Sequence, residues 1–111
     1  MKELFAYKFK STLTIEQIYE RLSTLGTWEW HERDNDRWGT YTSASPIEDA
    51  KHVQVKILID PDDQDWFAVN VRFESDLSTA AAQFQELREV LFSRVLPAID
   101  AAELTESDDY E

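Results

Sequence analysis

Residues 52–59 and 67–74 both alternate between apolar and polar side chains, and a short polar stretch separates them. A period of two is typical of strands that bury one face. If Ile59 lies opposite Phe67, every apolar residue of the first segment faces an apolar residue of the second. The resulting pairs are Ile59 with Phe67, Ile57 with Val69, Val55 with Val71 and Val53 with Phe73. This pattern predicts an antiparallel hairpin whose apolar face must be covered by other elements.

The opposite face of this hairpin is predicted to be polar. The same register pairs Lys56 with Asn70, Gln54 with Arg72 and His52 with Glu74, and it adds Leu58 and Trp66 to that face. Because the helices can cover only one side of the sheet, we expect this second face to be open. An open face with an aromatic residue and a charged rim favours protein docking. The alternative is that Leu58 and Trp66 are ordinary exposed apolar residues, which are common on protein surfaces.

Local signals predict the elements that precede this hairpin. Residues 4–10 alternate, which indicates a first strand. Thr14 is the expected N-cap of a helix, Gln17 completes a capping box, and Gly26 stands where a left-handed C-cap is expected. Residues 28–33 and 37–43 form a second predicted hairpin around an Asp-Asn-Asp turn. Trp28 and Trp30 share a strand face there, and we expect both in the core.

A long helix is predicted to follow the strands. Ser78 or Asp76 can cap it, and Pro97 must kink or stop it because proline has no N–H to donate. The helix presents an apolar stripe of Ala81, Phe84, Leu87, Leu91 and Val95. A second short helical stretch is expected from Ala98 to Leu104.

These elements predict an α+β fold, in the order β-α-β-β-β-β-α. An antiparallel sheet of four or five strands should carry two helices packed on one face. We expect residues 1–104 to form a single domain. Residues 105–111 are expected to be an acidic, frayed C-terminal tail.

The charge of the chain is strongly negative and unevenly distributed. The 111 residues carry a net charge of −12. Residues 1–27 hold four bases and three acids, residues 28–75 five bases and eleven acids, and residues 76–111 two bases and nine acids. Such a field disfavours nucleic acid and anionic membrane, and it favours a basic protein partner. No stretch is apolar enough for a signal peptide or a membrane span, so we expect a cytoplasmic protein.

No motif for catalysis or for a cofactor is visible. The chain has no cysteine and only two glycines, so thiolate chemistry and glycine-rich phosphate loops are excluded. His31 and His52 both neighbour acids, but a cross-strand or exposed charge pair explains them as well as catalysis does. The turn at residues 60–65 is rich in aspartate, yet it lacks the glycine and glutamate of a calcium-binding EF-hand loop. We therefore expect no enzyme activity, no metal and no cofactor.

The function that these observations favour is a small acidic protein-binding module. The leading hypothesis is an inhibitor, such as an immunity protein that neutralises a basic nuclease-type toxin, because carboxylates can occupy a cleft built for phosphates. Size, acidity and lack of cysteine are similar to those of immunity proteins generally, which is an analogy of class. The predicted partner-binding residues are Glu29, Glu32, Asp34, Asp36, Trp38, Asp60, Asp62, Asp63, Asp65 and Trp66.

Two other functions stay open at this stage. One is a small acidic secretion-type chaperone or adaptor, acting as a homodimer through the region from Phe84 to Leu104. The other is a minor hydrolytic enzyme that uses a histidine–carboxylate pair. The sequence leaves open whether the protein is a monomer or a homodimer.

Overall fold

The computed structural model describes residues 1–37, 39–47 and 52–107, and these form six strands and a helical layer. The elements are β1 (Lys2–Lys10), α1 (Ile15–Leu25), β2 (Trp30–Asn35), β3 (Gly39–Ala44), β4 (His52–Ile59), β5 (Phe67–Glu74), α2 (Ala80–Val90), a π-helical segment (Leu91–Val95), α3 (Leu96–Ala98) and β6 (Ala102–Ser107). The strands form one sheet in the order β2-β3-β4-β5-β1-β6, and all neighbours are antiparallel. The α+β class with an antiparallel sheet and helices is confirmed.

The β4–β5 hairpin has the register that its alternation predicts. Ile59 lies opposite Phe67, and Val53 lies opposite Phe73. Strand β1 pairs with the other side of β5 and places Phe9 opposite Phe67, where the two rings stack with centroids 5.5 Å apart. The apolar residues of β1, β4 and β5 therefore form one continuous core face.

Both helices pack on this face. Thr14 caps α1 as expected: its hydroxyl accepts the Gln17 N–H at 3.2 Å, while the Gln17 side chain accepts the Thr14 N–H at 2.9 Å. Gly26 ends the helix in the left-handed conformation with φ 78°, which glycine adopts without steric cost. The buried residues of α1 and of the second helical region join the core of the sheet: Ile15, Ile18, Leu22, Ala80, Leu87, Leu91, Val95 and Leu96.

The second helical region runs without interruption from α2 through the π-helical segment to α3. Thr79 occupies the N-cap position of α2, and its side chain makes no capping hydrogen bond. The prediction that Ser78 or Asp76 caps this helix is therefore wrong. The π-helical turn lies just before Pro97, whose missing N–H cannot bond to the Ser93 carbonyl, and the helix ends one residue after Pro97. Among the described residues, no helix is both long and apolar enough to cross a membrane.

The number of strands differs from the prediction, because the sheet has six strands rather than four or five. Residues 102–107 were expected to continue a helical stretch and begin a frayed tail, but they form β6 on the outer side of β1. Asp100 reverses the chain with φ 54°, so helix cannot continue beyond α3. The second half of β1 would otherwise expose backbone hydrogen-bonding groups on this edge, and β6 pairs with it from Ala6 to Lys10. Residues 108–111 lie outside the described residues.

The face of the sheet opposite the helices is only partly open, which corrects the expectation of an open face. Gln54 and Arg72 are exposed, but Lys56, Leu58 and Asn70 are buried. Across the sheet, Leu58 pairs with Tyr41 of β3 on one side and with Ala68 of β5 on the other. The Tyr41 side chain is therefore placed where it can shield Leu58 from water. Leu58 is fully buried, so it contributes none of the apolar surface that was expected on this face.

Replacing Thr14 with alanine should lower the free energy of unfolding by about 1 kcal/mol, because the first turn of α1 loses its capping hydrogen bond. Urea denaturation followed by circular dichroism measures this change. Thr12→Ala is the matched control, since Thr12 is exposed just before the helix. An equal loss in both variants would contradict a specific role for the cap.

Candidate protein-docking site

The two acidic turns lie at the same end of the sheet. Tyr41 near the start of β3 faces Leu58 near the end of β4, so the β2–β3 turn and the β4–β5 turn are neighbours. We call this region, formed by residues 35–37, 39 and 60–66, the acidic end. The sequence predicted that the acids of two hairpins could converge, and the direction of the strands brings the two turns together.

A surface depression joins the two turns. Its volume is about 260 Å³. It is lined by Arg37 from one turn, by Asp60, Pro61 and Gln64 from the other, and by Ile59 at the end of β4. A partner that reached this depression would contact both turns at once. The acidic end is therefore one surface rather than two separate loops.

The β4–β5 turn is held by its own hydrogen bonds. The Asp60 carboxylate accepts the Asp62 N–H at 2.8 Å, and the Asp63 carboxylate accepts the Asp65 N–H at 3.1 Å. Backbone bonds from Asp60 to Trp66 and from Trp66 to Asp63 close the loop. These aspartates act as turn-forming residues. Within the described ranges, no three histidine or acidic side chains converge to hold a metal ion.

Asp60 differs from the other acids of the turn because it is buried. Its side chain is 5% exposed, and its carboxylate lies 3.0 Å from the Lys8 ammonium of β1. This ion pair ties the turn to the sheet. Asp60 is one of the predicted partner-binding residues, but the structure does not present its carboxylate to a partner.

The remaining predicted residues of this turn are accessible. Asp62, Asp63 and Asp65 are exposed. Trp66 is half-buried, and the Lys10 ammonium lies 4.8 Å from the centre of its ring, within range of a cation–π interaction. Three carboxylates and the exposed part of one indole thus remain for contact at this turn.

The β2–β3 turn contributes two more exposed acids. Asp34 accepts a hydrogen bond from the Thr40 hydroxyl at 2.9 Å, and Asp36 lies at the tip of the turn. The Asn35 side chain accepts the Arg37 N–H at 2.8 Å, which fixes the reversal of the chain, and Gly39 with φ 73° completes it. Trp38, also predicted to bind the partner, lies outside the described residues.

Glu29 and Glu32 lie away from the acidic end. Glu29 precedes β2 at the opposite end of the sheet, about 17 Å from Asp34 along an extended strand. Side chains alternate along β2, so Glu32 and Asp34 lie on the same face of the strand as Trp30. Trp30 is buried in the core on the helical side of the sheet. These two acids form an exposed line along β2, which leads toward the acidic end.

The two histidines lie at open positions. The His31 ring nitrogen is 3.8 Å from the Glu29 carboxylate, with the side chains 52% and 87% exposed. His52 lies opposite Glu74 as predicted, but the Glu74 carboxylate is 3.3 Å from Arg72. Both histidines are exposed, and His52 lines a depression of about 230 Å³ together with Ser45, Gln54 and Arg72. General acid–base catalysis needs a pocket that also holds a substrate against the base. The prediction that the protein is not an enzyme stays a prediction.

Sequence analysis missed one groove on the helical side. It has a volume of about 370 Å³ and is lined by Trp28, Pro46, Ile47, Gln83, Glu86, Leu87 and Val90. We call it the Trp28 groove. Its walls come from α2 and from the segments before β2 and after β3, which lie far apart in the sequence. Only the packing of α2 on the sheet brings them together, so no local pattern predicts the groove.

Two comparisons of the sequence with known proteins give no match. No protein-family model matches the chain, and no curated protein matches it significantly.

Replacing Asp60 with asparagine should lower the free energy of unfolding by about 2 kcal/mol, because the Lys8 ammonium loses its buried counter-charge. The loss is moderate because the Lys8 side chain is partly exposed, so water solvates the unpaired charge. Asparagine keeps an oxygen that can accept the Asp62 N–H, so the variant isolates the effect of charge. Chemical denaturation in urea is the measurement.

Asp62→Asn is the control, since it removes the same charge from an exposed position of the same turn. We expect it to change stability by less than about 0.5 kcal/mol. If both variants lose the same amount, the ion pair with Lys8 does not stabilise the turn.

Proposed function

We propose that this protein is a small acidic binding module that docks a basic protein through the acidic end. The observation that carries the proposal is the convergence of two aspartate-rich turns around one depression. Asp36, Asp62, Asp63 and Asp65 are exposed on these two turns, outside the lining of the depression itself. Exposed carboxylates that share one surface attract a positively charged partner more strongly than the same charges spread over the molecule.

The physical role of these acids is to guide and orient the encounter. Charges at the rim of an interface mainly raise the association rate and select partners by their charge. The net charge of −12 adds a long-range field of the same sign. Affinity then requires desolvated contacts, and the half-buried Trp66 beside Lys10 is an aromatic side chain of the acidic end that can supply one.

The most concrete form of this proposal is an inhibitor of the immunity-protein kind, which acts in the cytoplasm and neutralises a basic nuclease-type toxin. A nuclease cleft is built to hold phosphates, so it can accept a row of carboxylates instead. In this mechanism the protein blocks the cleft and performs no chemistry. Neither a metal nor a cofactor is part of the mechanism.

A homodimeric chaperone or adaptor is the second candidate. The observation that favours it is an aromatic cluster at the side of α2. The Arg88 guanidinium lies 4.8 Å from the ring centre of Phe5 and 5.4 Å from that of Phe92, and both rings are half-buried. Partly exposed aromatic residues of this kind suit an interface between subunits. Sedimentation equilibrium separates the two candidates, because a tight dimer favours the chaperone and a monomer favours the inhibitor.

The quadruple variant Asp36→Asn, Asp62→Asn, Asp63→Asn and Asp65→Asn should slow association with a basic nuclease domain by about tenfold or more, because it removes the local field that steers the partner. The measurement is surface plasmon resonance against a panel of immobilised nuclease domains with high isoelectric points. Binding of the wild-type protein should weaken as salt rises.

A second quadruple variant carries the same charge change at exposed positions outside the acidic end: Glu3→Gln, Glu20→Gln, Asp76→Asn and Glu89→Gln. We expect it to associate within about threefold of the wild-type rate, since the local arrangement is intact. Equal slowing by both variants would show that only the net charge matters. Binding that is independent of salt, or the absence of binding across the panel, would refute the proposed function.

A further inference from the structure

The Trp28 groove combines three features that its packing role does not explain. It lies between α2 and the segments that flank the β2–β3 hairpin, at the opposite end of the sheet from the acidic end. Its walls are apolar at Ile47, Leu87 and Val90. A volume of about 370 Å³ is sufficient for a side chain of a partner rather than for a single water molecule.

The first feature is the backbone of Trp28. Its φ is 60°, in the left-handed region that bulky residues rarely adopt. Glycine or asparagine would occupy this position with less strain. The half-buried indole lies beside Trp30, with ring centres 6.0 Å apart, and forms one wall of the groove. Strained positions of this kind occur preferentially at ligand-binding sites.

The second feature is a buried acceptor. The side-chain oxygen Oε1 of Gln83 is shielded from solvent and has no hydrogen-bond partner among the described residues. Buried polar atoms are nearly always paired, so an unpaired one points to a missing donor. The last torsion of a glutamine side chain is broad and roughly two-fold, so a small rotation can turn this oxygen toward the groove.

The third feature is the charge of Glu86. This residue is exposed on α2, three positions after Gln83, and therefore on the same side of the helix. It makes no ion pair within the described part of the chain, and it lines the groove. An indole, an amide side chain and a carboxylate thus line one space, and an amide oxygen turned toward it would, like the other two groups, favour a cation that can donate hydrogen bonds.

We propose that the Trp28 groove binds the side chain of an arginine on the basic partner. A guanidinium is planar, so it can stack on the Trp28 indole while its N–H groups donate to the Glu86 carboxylate and to the Gln83 oxygen. The apolar lower walls suit the three methylene groups of the arginine. Lysine lacks the planar group for stacking, and a neutral side chain lacks the attraction to Glu86.

Charge decides between a basic partner and the other possible occupants. A second copy of this chain carries a net charge of −12 and would be repelled by Glu86. Glu32 and Asp34 on β2 extend the negative surface from the groove side toward the acidic end. One basic protein could therefore contact both regions. In this respect the inference depends on the proposed function, but the groove can be tested by itself.

The test is a titration of the isotope-labelled protein with N-acetyl-arginine amide, followed by NMR of the Ile47 and Val90 methyl groups and the Trp28 indole N–H. We expect saturable shifts with a dissociation constant on the order of a few millimolar, as is reasonable for one side chain. N-acetyl-citrulline amide has nearly the same shape without the charge, and it should produce no saturable shift.

Two matched variants identify the contacts. Glu86→Gln should weaken arginine binding by about tenfold, because it removes a charge-assisted hydrogen bond. Glu89→Gln removes the same charge from the same helix but outside the groove, and it should change binding by less than about twofold. Trp28→Gly relieves the backbone strain and removes the indole. It should abolish the arginine-induced shifts of Ile47 and Val90 while the protein stays folded.

The inference is overturned if citrulline and arginine shift the same signals equally, if neither saturates, or if Glu86→Gln and Glu89→Gln behave alike. The quadruple variant of the acidic end separates this inference from the proposed function, because it should keep its affinity for the arginine probe. If arginine does not bind the Trp28 groove but the quadruple variant still associates slowly, the acidic end remains the docking surface. If arginine binds the groove and the quadruple variant associates with the nuclease domains at the wild-type rate, the acidic end is not the docking surface.

Discussion

The pairing of β4 with β5 is the constraint on which the rest of the structure depends. Its register collects four apolar pairs on one face, and this face defines where β1 and both helices must pack. A shift of one residue would turn the apolar side chains of one strand to the other side of the sheet. The same pairing fixes the position of the β4–β5 turn. It therefore determines both the core and the place of the acidic end.

The parts of the fold that the sequence predicts are those with strong local signals. The alternation of residues 52–59 and 67–74 determines their register, and the reciprocal bonds of Thr14 and Gln17 mark the start of α1. Strand β6 has no such signal, since Leu104 is its only large apolar residue and every residue from 102 to 106 is exposed. It forms because β1 offers an edge to pair with, which is a property of the assembled sheet.

The candidate site shows the same division between local and assembled properties. The exposed aspartates of the turns follow from turn chemistry, which the sequence displays. Burial of Asp60 depends on Lys8, which comes from β1 and reaches the turn only because β1 lies beside β5. The Trp28 groove depends in the same way on where α2 crosses the sheet. Sequence patterns therefore predict which acidic side chains lie in surface turns, but tertiary packing determines which of them stay exposed to a partner.

The edge position of β2 has a consequence for how two copies of the molecule can meet. Two identical antiparallel edge strands pair around a two-fold axis perpendicular to the sheet, so the residue at the axis always faces its own copy. Along the middle of β2 this residue is His31, Glu32, Arg33 or Asp34. At the last three positions, the facing pair has like charges, which opposes the pairing. The edge thus resists pairing between two copies of the molecule in those three registers, while its charged side chains stay exposed to a partner with a different sequence.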